Sequence, residues 1–340
     1  MPPERTRPKA ATIHDVAAAA GLSRGTVSRV INGEPYVSEE ARAAVESAIR
    51  QVGYVPNTAA RNLKTKRSRA VGLIVHEPHP LFLEDPNIGA ILLGTNSVLS
   101  KADYQLVSLI IDSERDSDRV ADYLGGGFVD GVIVISARAG DPIGRAVTAM
   151  GIPAAFVGHP PDLEGIAYVG IDNVHAAHAI TERLLLTGRR RVGMIAAALD
   201  RDSGRDRLAG FRSALGERFD PELVVDSPLY SYRTGLEGMR ELLKRAPDID
   251  GVFAASDAIA AGALDALREA GRSVPADVGI VGFDDSAWAL RCQPPLSTVR
   301  QPADLLGQMA AQRVLDQLDG KPSAPGGTML DTEVIWRESA

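Results

Sequence analysis

The sequence has a single cysteine, Cys292, only 5% aromatic residues, and no long apolar run. One thiol cannot close an internal disulfide or by itself supply a structural zinc site, so a reducing compartment fits. No segment reaches the roughly 20 consecutive apolar residues that a membrane-spanning helix needs. The first ten residues carry Glu4, Arg5, Arg7 and Lys9 among prolines and lack the apolar core of a secretion signal, so the expected location is the cytoplasm. Catalytic motifs are missing as well. No Gly-x-Gly-x-x-Gly follows the first apolar strand, and Gly125-Gly126-Gly127 and Gly320-Lys321-Pro322 read as turns. The six histidines form no metal motif; His76 and His79 could ligate one, although two loop histidines are more often solvated. Without a nucleophile, a base and an orienting group set together, neither an enzyme nor a bound cofactor or metal is expected.

What is present is a charge asymmetry. Residues 1–69 hold twelve Lys/Arg against six acids, so this head carries +6 and the remainder −13 of the net −7. A basic module on an acidic body suits a protein whose head is drawn to a phosphate backbone. Charge alone would equally allow a solvated surface with chance clustering.

Helical periodicity sharpens the reading. Thr12 and Asp15 have the spacing of a helix-start box, with Ile13, Val16, Ala17 and Ala20 following at i, i+3, i+4 and i+7 up to Gly21. Ser23 can cap a second helix running to about Asn32, with Val27, Val30 and Ile31 on its buried side. That pair is a helix-turn-helix whose second helix offers Ser23, Arg24, Thr26, Ser28 and Arg29 to a major groove. A third helix opens at Ser38-Glu39-Glu40 and stops at Gly53. Asn57 caps a further helix too short to stand alone, on which Leu63 lies among Arg61, Lys64 and Lys66. A leucine in that setting is placed as a minor-groove wedge, or as an ordinary linker residue packing on the body.

From Ala70 onward, apolar runs at 71–75, 105–111, 131–135, 154–157, 192–195, 251–254 and 278–281 alternate with helical stretches such as 175–186 and 258–270. Alternating βα units give doubly wound parallel sheets that bind ligands beyond the carboxyl ends of their strands. Asp172-Asn173, Ser256-Asp257 and Asp284-Asp285 fall at such ends. Each could be a helix cap and nothing more.

The stretches Thr12-Ile13-His14-Asp15-Val16-Ala17, Gly21-Leu22-Ser23, Thr26 to Gly33 and Gly53-Tyr54-Val55-Pro56-Asn57 resemble the signature of the lactose and galactose repressor family. Farther along, 169–173, 207–211, 255–257, 281–285 and 294–299 resemble that family's core in the right order. The resemblance implies an all-α helix-turn-helix head with a hinge helix, then a two-lobed α/β core similar to periplasmic sugar-binding proteins, its lobes joined by three crossovers. It implies a disordered basic arm over 1–11, the DNA-binding domain over 12–56, hinge and linker over 57–69, and an effector-binding and dimerisation core over 70–340. Within the core, the first lobe is expected at about 70–183 and 301–321 and the second at about 184–300 and 322–340.

By the same resemblance Thr12, Ser23, Arg24, Thr26, Ser28, Arg29, Asn32, Asn57, Arg61 and Leu63 are the candidate DNA-binding residues. Arg24 and Gly25 stand at the main base-reading positions, where Gly25 departs from the pattern for want of a side chain. Asp172, Arg207, Ser256 and Asp284 are expected to hydrogen-bond a sugar-like effector, with Tyr230 as an aromatic wall. The segment His76 to Ile88 departs from shorter family versions, so the identity of the effector does not carry over. The expected whole is a ligand-controlled transcriptional regulator, a repressor on a palindromic double-stranded operator. It is expected to act as a homodimer, since no leucine heptads trail the chain.

Overall fold

The computed structural model describes residues 11–32, 34–54, 67–160, 163, 165–321 and 326–340. The chain divides into two compact units, Met1–Arg67 and Ser68–Ala340. Residues 1–10 of the expected arm, residues 57–66 of the expected hinge and linker, and with them the candidate residues Asn57, Arg61 and Leu63, lie outside the described residues.

The first unit contains α1 (Ile13–Ala20), α2 (Arg24–Ile31) and α3 (Glu39–Val52). Asp15 accepts hydrogen bonds from the Thr12 backbone N–H at 2.7 Å and its hydroxyl at 2.8 Å, fixing the start of α1. Ser23 accepts from the N–H of Thr26 at 3.1 Å and opens α2, as Ser38 opens α3 through the N–H of Ala41. Val16, Val27, Val30, Val45 and Ala48 form one small buried core shared by all three helices. With so little apolar area, about 1.5–3 kcal/mol per large side chain buried, each contributor matters.

The second unit is α/β with two lobes. Its first sheet has six parallel strands: β1 (Ala70–Val75), β2 (Gln105–Ile110), β3 (Gly131–Ile135), β4 (Ala154–Val157), β5 (Ala167–Ile171) and β11 (Gly326–Leu330), in the spatial order β11-β5-β4-β3-β1-β2. Alternation along these strands serves two cores. Leu73, Ile133 and Val169 join the core that includes Ile88 and Ile91 of α5 (Pro86–Leu99) and Leu306 and Val314 of α13 (Ala303–Leu318). Ile74, Val134 and Phe156 join the one that includes Val120 of α6 (Glu114–Gly125) and Val147 of α7 (Pro142–Met150). A short helix, α4 (His79–Glu84), precedes α5.

The second sheet orders its parallel strands β7-β6-β8-β9, where β6 is Val192–Ala197, β7 Val224–Ser227, β8 Gly251–Ala254 and β9 Gly279–Val281. Two helix pairs pack with it, α8 (Asn173–Leu186) with α9 (Asp202–Leu215), and α10 (Tyr232–Arg245) with α11 (Asp257–Glu269). A short helix α12 (Ala287–Arg291) follows β9, and β10 (Thr298–Arg300) pairs antiparallel with β12 (Glu333–Ile335).

Two expected lobe boundaries are corrected. The buried side chains of α8, including Ala177, Ile180 and Leu184, face α9 and the second sheet, so the chain crosses at about 171–173 and not at 183. Residues 326–330 pair in parallel with β5 as the edge of the first sheet, so the last crossing follows Leu330 and not residue 321. Both shifts have one cause: an element belongs to the lobe that buries its apolar face, which chain order alone does not reveal.

Candidate functional site

A cavity of about 130 Å³ opens in the cleft between the two lobes. Its polar lining comes from strand ends. Glu77 lies just beyond β1, Ser136 beyond β3, Asn173 beyond β5, Arg201, Asp202 and Ser203 beyond β6, Ser256 beyond β8, Asp284 beyond β9 and Gln301 beyond β10. Tyr230 and Trp288 add aromatic wall, and Ile88, Ile91, Val157 and Leu306 add aliphatic wall. The mixture of apolar surface with a few fixed polar groups is the usual make-up of a small-molecule site.

Arg207 is the most constrained of these side chains. Its Nε donates to Asn173 Oδ1 at 2.9 Å and its Nη1 to the Ala255 carbonyl at 2.6 Å, with Asp284 Oδ1 at 3.6 Å. The guanidinium also lies over the rings of Phe283 and Tyr230. Asp284 accepts from Gln301 Nε2 at 2.7 Å. Burial pushes its carboxyl well above the ordinary range, opposed by the Arg207 charge. The Asp284 backbone has φ of 115°, a region L residues rarely adopt and one that tends to occur at binding sites. From the first lobe, Asp85 faces this cluster, its acidity weakened by burial to a pKa of about 6. Ser203 and Tyr230 join their hydroxyls at 3.2 Å.

Four of the five expected effector residues, Arg207, Tyr230, Ser256 and Asp284, meet in this cleft. Ser256 also caps α11 through the N–H of Ile259, so capping and lining are not alternatives there. Asp172 does not join them. It is exposed, its carboxylate accepts from the His175 N–H at 2.9 Å at the start of α8, and its neighbour Asn173 takes the place in the cleft. Asp285 turns away and holds Arg300 and Arg337 at 2.8 and 2.6 Å. Sequence reasoning passed over Glu77, Asp85, Arg201, Trp288 and Gln301, and placed Asn173 at a strand end while choosing Asp172 beside it for the effector. Arg201 to Ser203 was accessible by the strand-end rule, since these residues follow β6. His76, considered above as a metal ligand, has Nδ1 2.8 Å from Asp141 Oδ2. No group of three or more His, Cys, Asp or Glu suited to a metal occurs among the described residues.

In the head, Thr12, Ser23, Arg24, Arg29 and Asn32 are exposed, and Thr26 and Ser28 are half-buried. Asn32 Nδ2 donates to Ser28 Oγ at 3.2 Å and Arg29 Nε to the Gly25 carbonyl at 3.3 Å, so α2 pre-orients part of its polar face.

Residues 12–57 match the lacI family of bacterial regulatory proteins, and residues 181–340 match a periplasmic binding protein-like domain. Along its length the chain is 42% identical to the HTH-type transcriptional regulator CelR of Thermobifida fusca, over 98% of this chain and 99% of that one. The chain belongs to the LacI family. This LacI-family regulator is also 31% identical to the repressor CytR of Escherichia coli K12, over 97% of this chain and 96% of the relative. Among solved structures it is similar to a CelR–cellobiose complex, with a TM-score of 0.78 at 40% identity over 98% and 100% of the two chains. It is also similar to the Lac repressor dimer bound to operator and the anti-inducer ONPF, with a TM-score of 0.87 at 26% identity over 97% and 99%. The protein is therefore a transcriptional regulator with a helix-turn-helix DNA-binding head and a periplasmic-binding-protein-like core, and not an enzyme. No helix among the described residues is long and apolar enough to cross a membrane.

Proposed function

We propose that the protein is a cytoplasmic repressor that binds a near-palindromic operator as a homodimer and answers to a sugar held between the lobes of its core. The observation that carries the reading is the lining of the cleft itself, where carboxyl groups, two guanidiniums and aromatic faces converge. Such a lining suits the donor and acceptor pattern of sugar hydroxyls and the apolar faces of sugar rings. The similar CelR is seen with cellobiose, which supports an uncharged disaccharide as first candidate. Arg207, Ser256 and Asp284 are assigned to hydroxyl recognition and Tyr230 to a ring face.

The assigned DNA-reading surface is the exposed start of α2, with Ser23, Arg24 and Arg29 foremost and Thr12, Thr26, Ser28 and Asn32 beside them. The head is assigned to 12–56, the hinge with Asn57, Arg61 and the wedge Leu63 to 57–69, and the core to 70–340. Leu93 on α5 and Leu290 on α12 are each 68% exposed, apolar surface that a second copy would cover. Sugar binding would then shift operator affinity by the difference in its affinity for two lobe arrangements, commonly about 1–3 kcal/mol.

The test is selection of genomic fragments by the purified protein, followed by operator titration with and without a sugar panel, and sedimentation to count chains. A short palindrome bound by two chains, with affinity changed by one sugar, is the expected result. Enrichment of no site at moderate salt, or a site whose affinity no sugar alters, would refute the corresponding half.

A further inference from the structure

Glu77, two residues beyond β1 in the first lobe, and Arg201, at the start of α9 in the second, form an ion pair across the cleft through Glu77 Oε1 and Arg201 Nη1. Both are 4% exposed. The pair leaves three buried atoms, Glu77 Oε2, Arg201 Nε and Arg201 Nη2, without a hydrogen-bond partner among the described residues. Buried polar groups are ordinarily paired, and an unpaired group on a charged side chain is the costlier kind. Both residues line the cleft that holds Arg207 and Asp284. One spare acceptor beside two spare donors matches two neighbouring hydroxyls: one donates to the carboxylate, and both accept from the guanidinium.

The charge balance of the same lining narrows the ligand further. The cleft presents four carboxylates, Glu77, Asp85, Asp202 and Asp284, against two guanidiniums, Arg201 and Arg207. Each guanidinium already has a carboxylate opposite it, Arg201 facing Glu77 and Arg207 facing Asp284. Among the described residues, a phosphate or carboxylate brought by a ligand would therefore find no guanidinium that a carboxyl group of the cleft does not already face, and it would lie near Asp85 and Asp202 as well.

We propose that Glu77 and Arg201 form a second hydroxyl-recognising subsite, spanning both lobes, that commits the cleft to uncharged sugars and excludes phosphorylated and acidic ones. The proposal rests on the reading of the cleft as a sugar site and adds its specificity.

The experiment is calorimetric titration of the full-length protein with cellobiose, maltose and glucose, and with the 6-phosphates and aldonic acids of each. The wild type should bind at least one neutral sugar about 100-fold more tightly than its charged forms, a difference of the size that like-charge juxtaposition imposes. Glu77→Gln should weaken the neutral sugar about tenfold and shrink the gap about tenfold, because Arg201 then lacks its counter-charge. If that variant does not fold, Glu77→Leu with Arg201→Met replaces the pair by apolar groups, a change buried ion pairs often tolerate, and should weaken the neutral sugar at least tenfold. Equal binding of neutral and charged forms by the wild type would overturn the proposal, as would undiminished neutral binding in the double variant. If a phosphorylated or acidic sugar binds best, the cleft remains a sugar site and only this inference falls. If no sugar in the panel binds, the sugar reading itself falls, and the inference with it.

Discussion

The guanidinium carbon of Arg207 lies 3.7 Å from the centre of the Phe283 ring, while the adjacent Asp284 carboxylate sits 3.6 Å from its Nη1. The stack fixes the plane of the fork, and the fork holds Asn173 and the Ala255 carbonyl in place. A lysine keeps the charge but has neither a plane to stack nor a fork to share. Arg207→Lys should therefore lower stability by about 2–4 kcal/mol, the usual range for breaking a buried charged network. Sugar affinity should fall about 100-fold, equivalent to about 2.7 kcal/mol. Thermal melts and calorimetry check the two figures, and wild-type sugar affinity in the lysine variant would remove Arg207 from the site.

Gly204 stands one turn before Arg207 on α9, where a Cβ would come within 2.3 Å of the carbonyl oxygens of both Ala197 and Ala198. Backbone oxygens cannot swing aside as a long side chain can. Gly204→Ala must push α9 off the end of β6, carrying Ser203 and Arg207 with it. Overpacking of this kind typically costs about 1–3 kcal/mol. The expected outcome is a lower melting temperature with weakened sugar binding. A variant as stable as wild type would mean that α9 shifts freely and is not a fixed platform.

Legibility in the sequence followed burial. Strands β1, β3, β6 and β8 are buried throughout and read directly as apolar runs, and the head was readable from its caps Thr12, Ser23 and Ser38. β7 and β11 are edge strands with mixed exposure, and β10 and β12 have three residues each, too few for a period to show. The site was readable where a polar residue follows an obvious strand, as at Ser256 and Asp284. It misled at Asp172, where the pair Asp172-Asn173 offers one side chain to the helix start and the other to the cleft. Arg201 could have been found by its place after β6, whereas Glu77 acquires its meaning only from that partner, 124 residues away.

Asp85 makes stability depend on pH. Burial raises its pKa from 3.8 to about 6, with the Asn87 N–H pulling the other way. Below about pH 4 the carboxyl is protonated folded or unfolded, and the folded protein is then favoured relative to higher pH. As pH climbs through 6, the folded protein must ionise a poorly solvated group, and that advantage is lost. Asp85→Asn retains an acceptor for the Asn87 N–H that starts α5 and never ionises. At pH 7.5 it should be more stable than wild type by up to about 2 kcal/mol, with the gain vanishing near pH 4. Denaturant melts at the two values decide it. A gain of equal size at both would point to packing instead of charge.

Arg24 occupies the first position of α2, exposed, and is followed by Gly25, whose added Cβ would meet only Ser23 Oγ at 3.6 Å. Packing therefore does not demand glycine at 25, and that position offers no side chain with which to contact a base. Discrimination along this part of the helix should fall more heavily on Arg24, whose guanidinium can take two acceptors of a guanine edge. Arg24→Ala should cost about 1–3 kcal/mol and relax preference at one position of each half-site while leaving the others intact. Selection of bound sequences by wild type and variant, repeated at two salt concentrations, measures this directly. If affinity instead drops evenly across all sequences and the salt slope falls by about one, Arg24 is holding a phosphate, and base reading must come from Ser23 or Arg29.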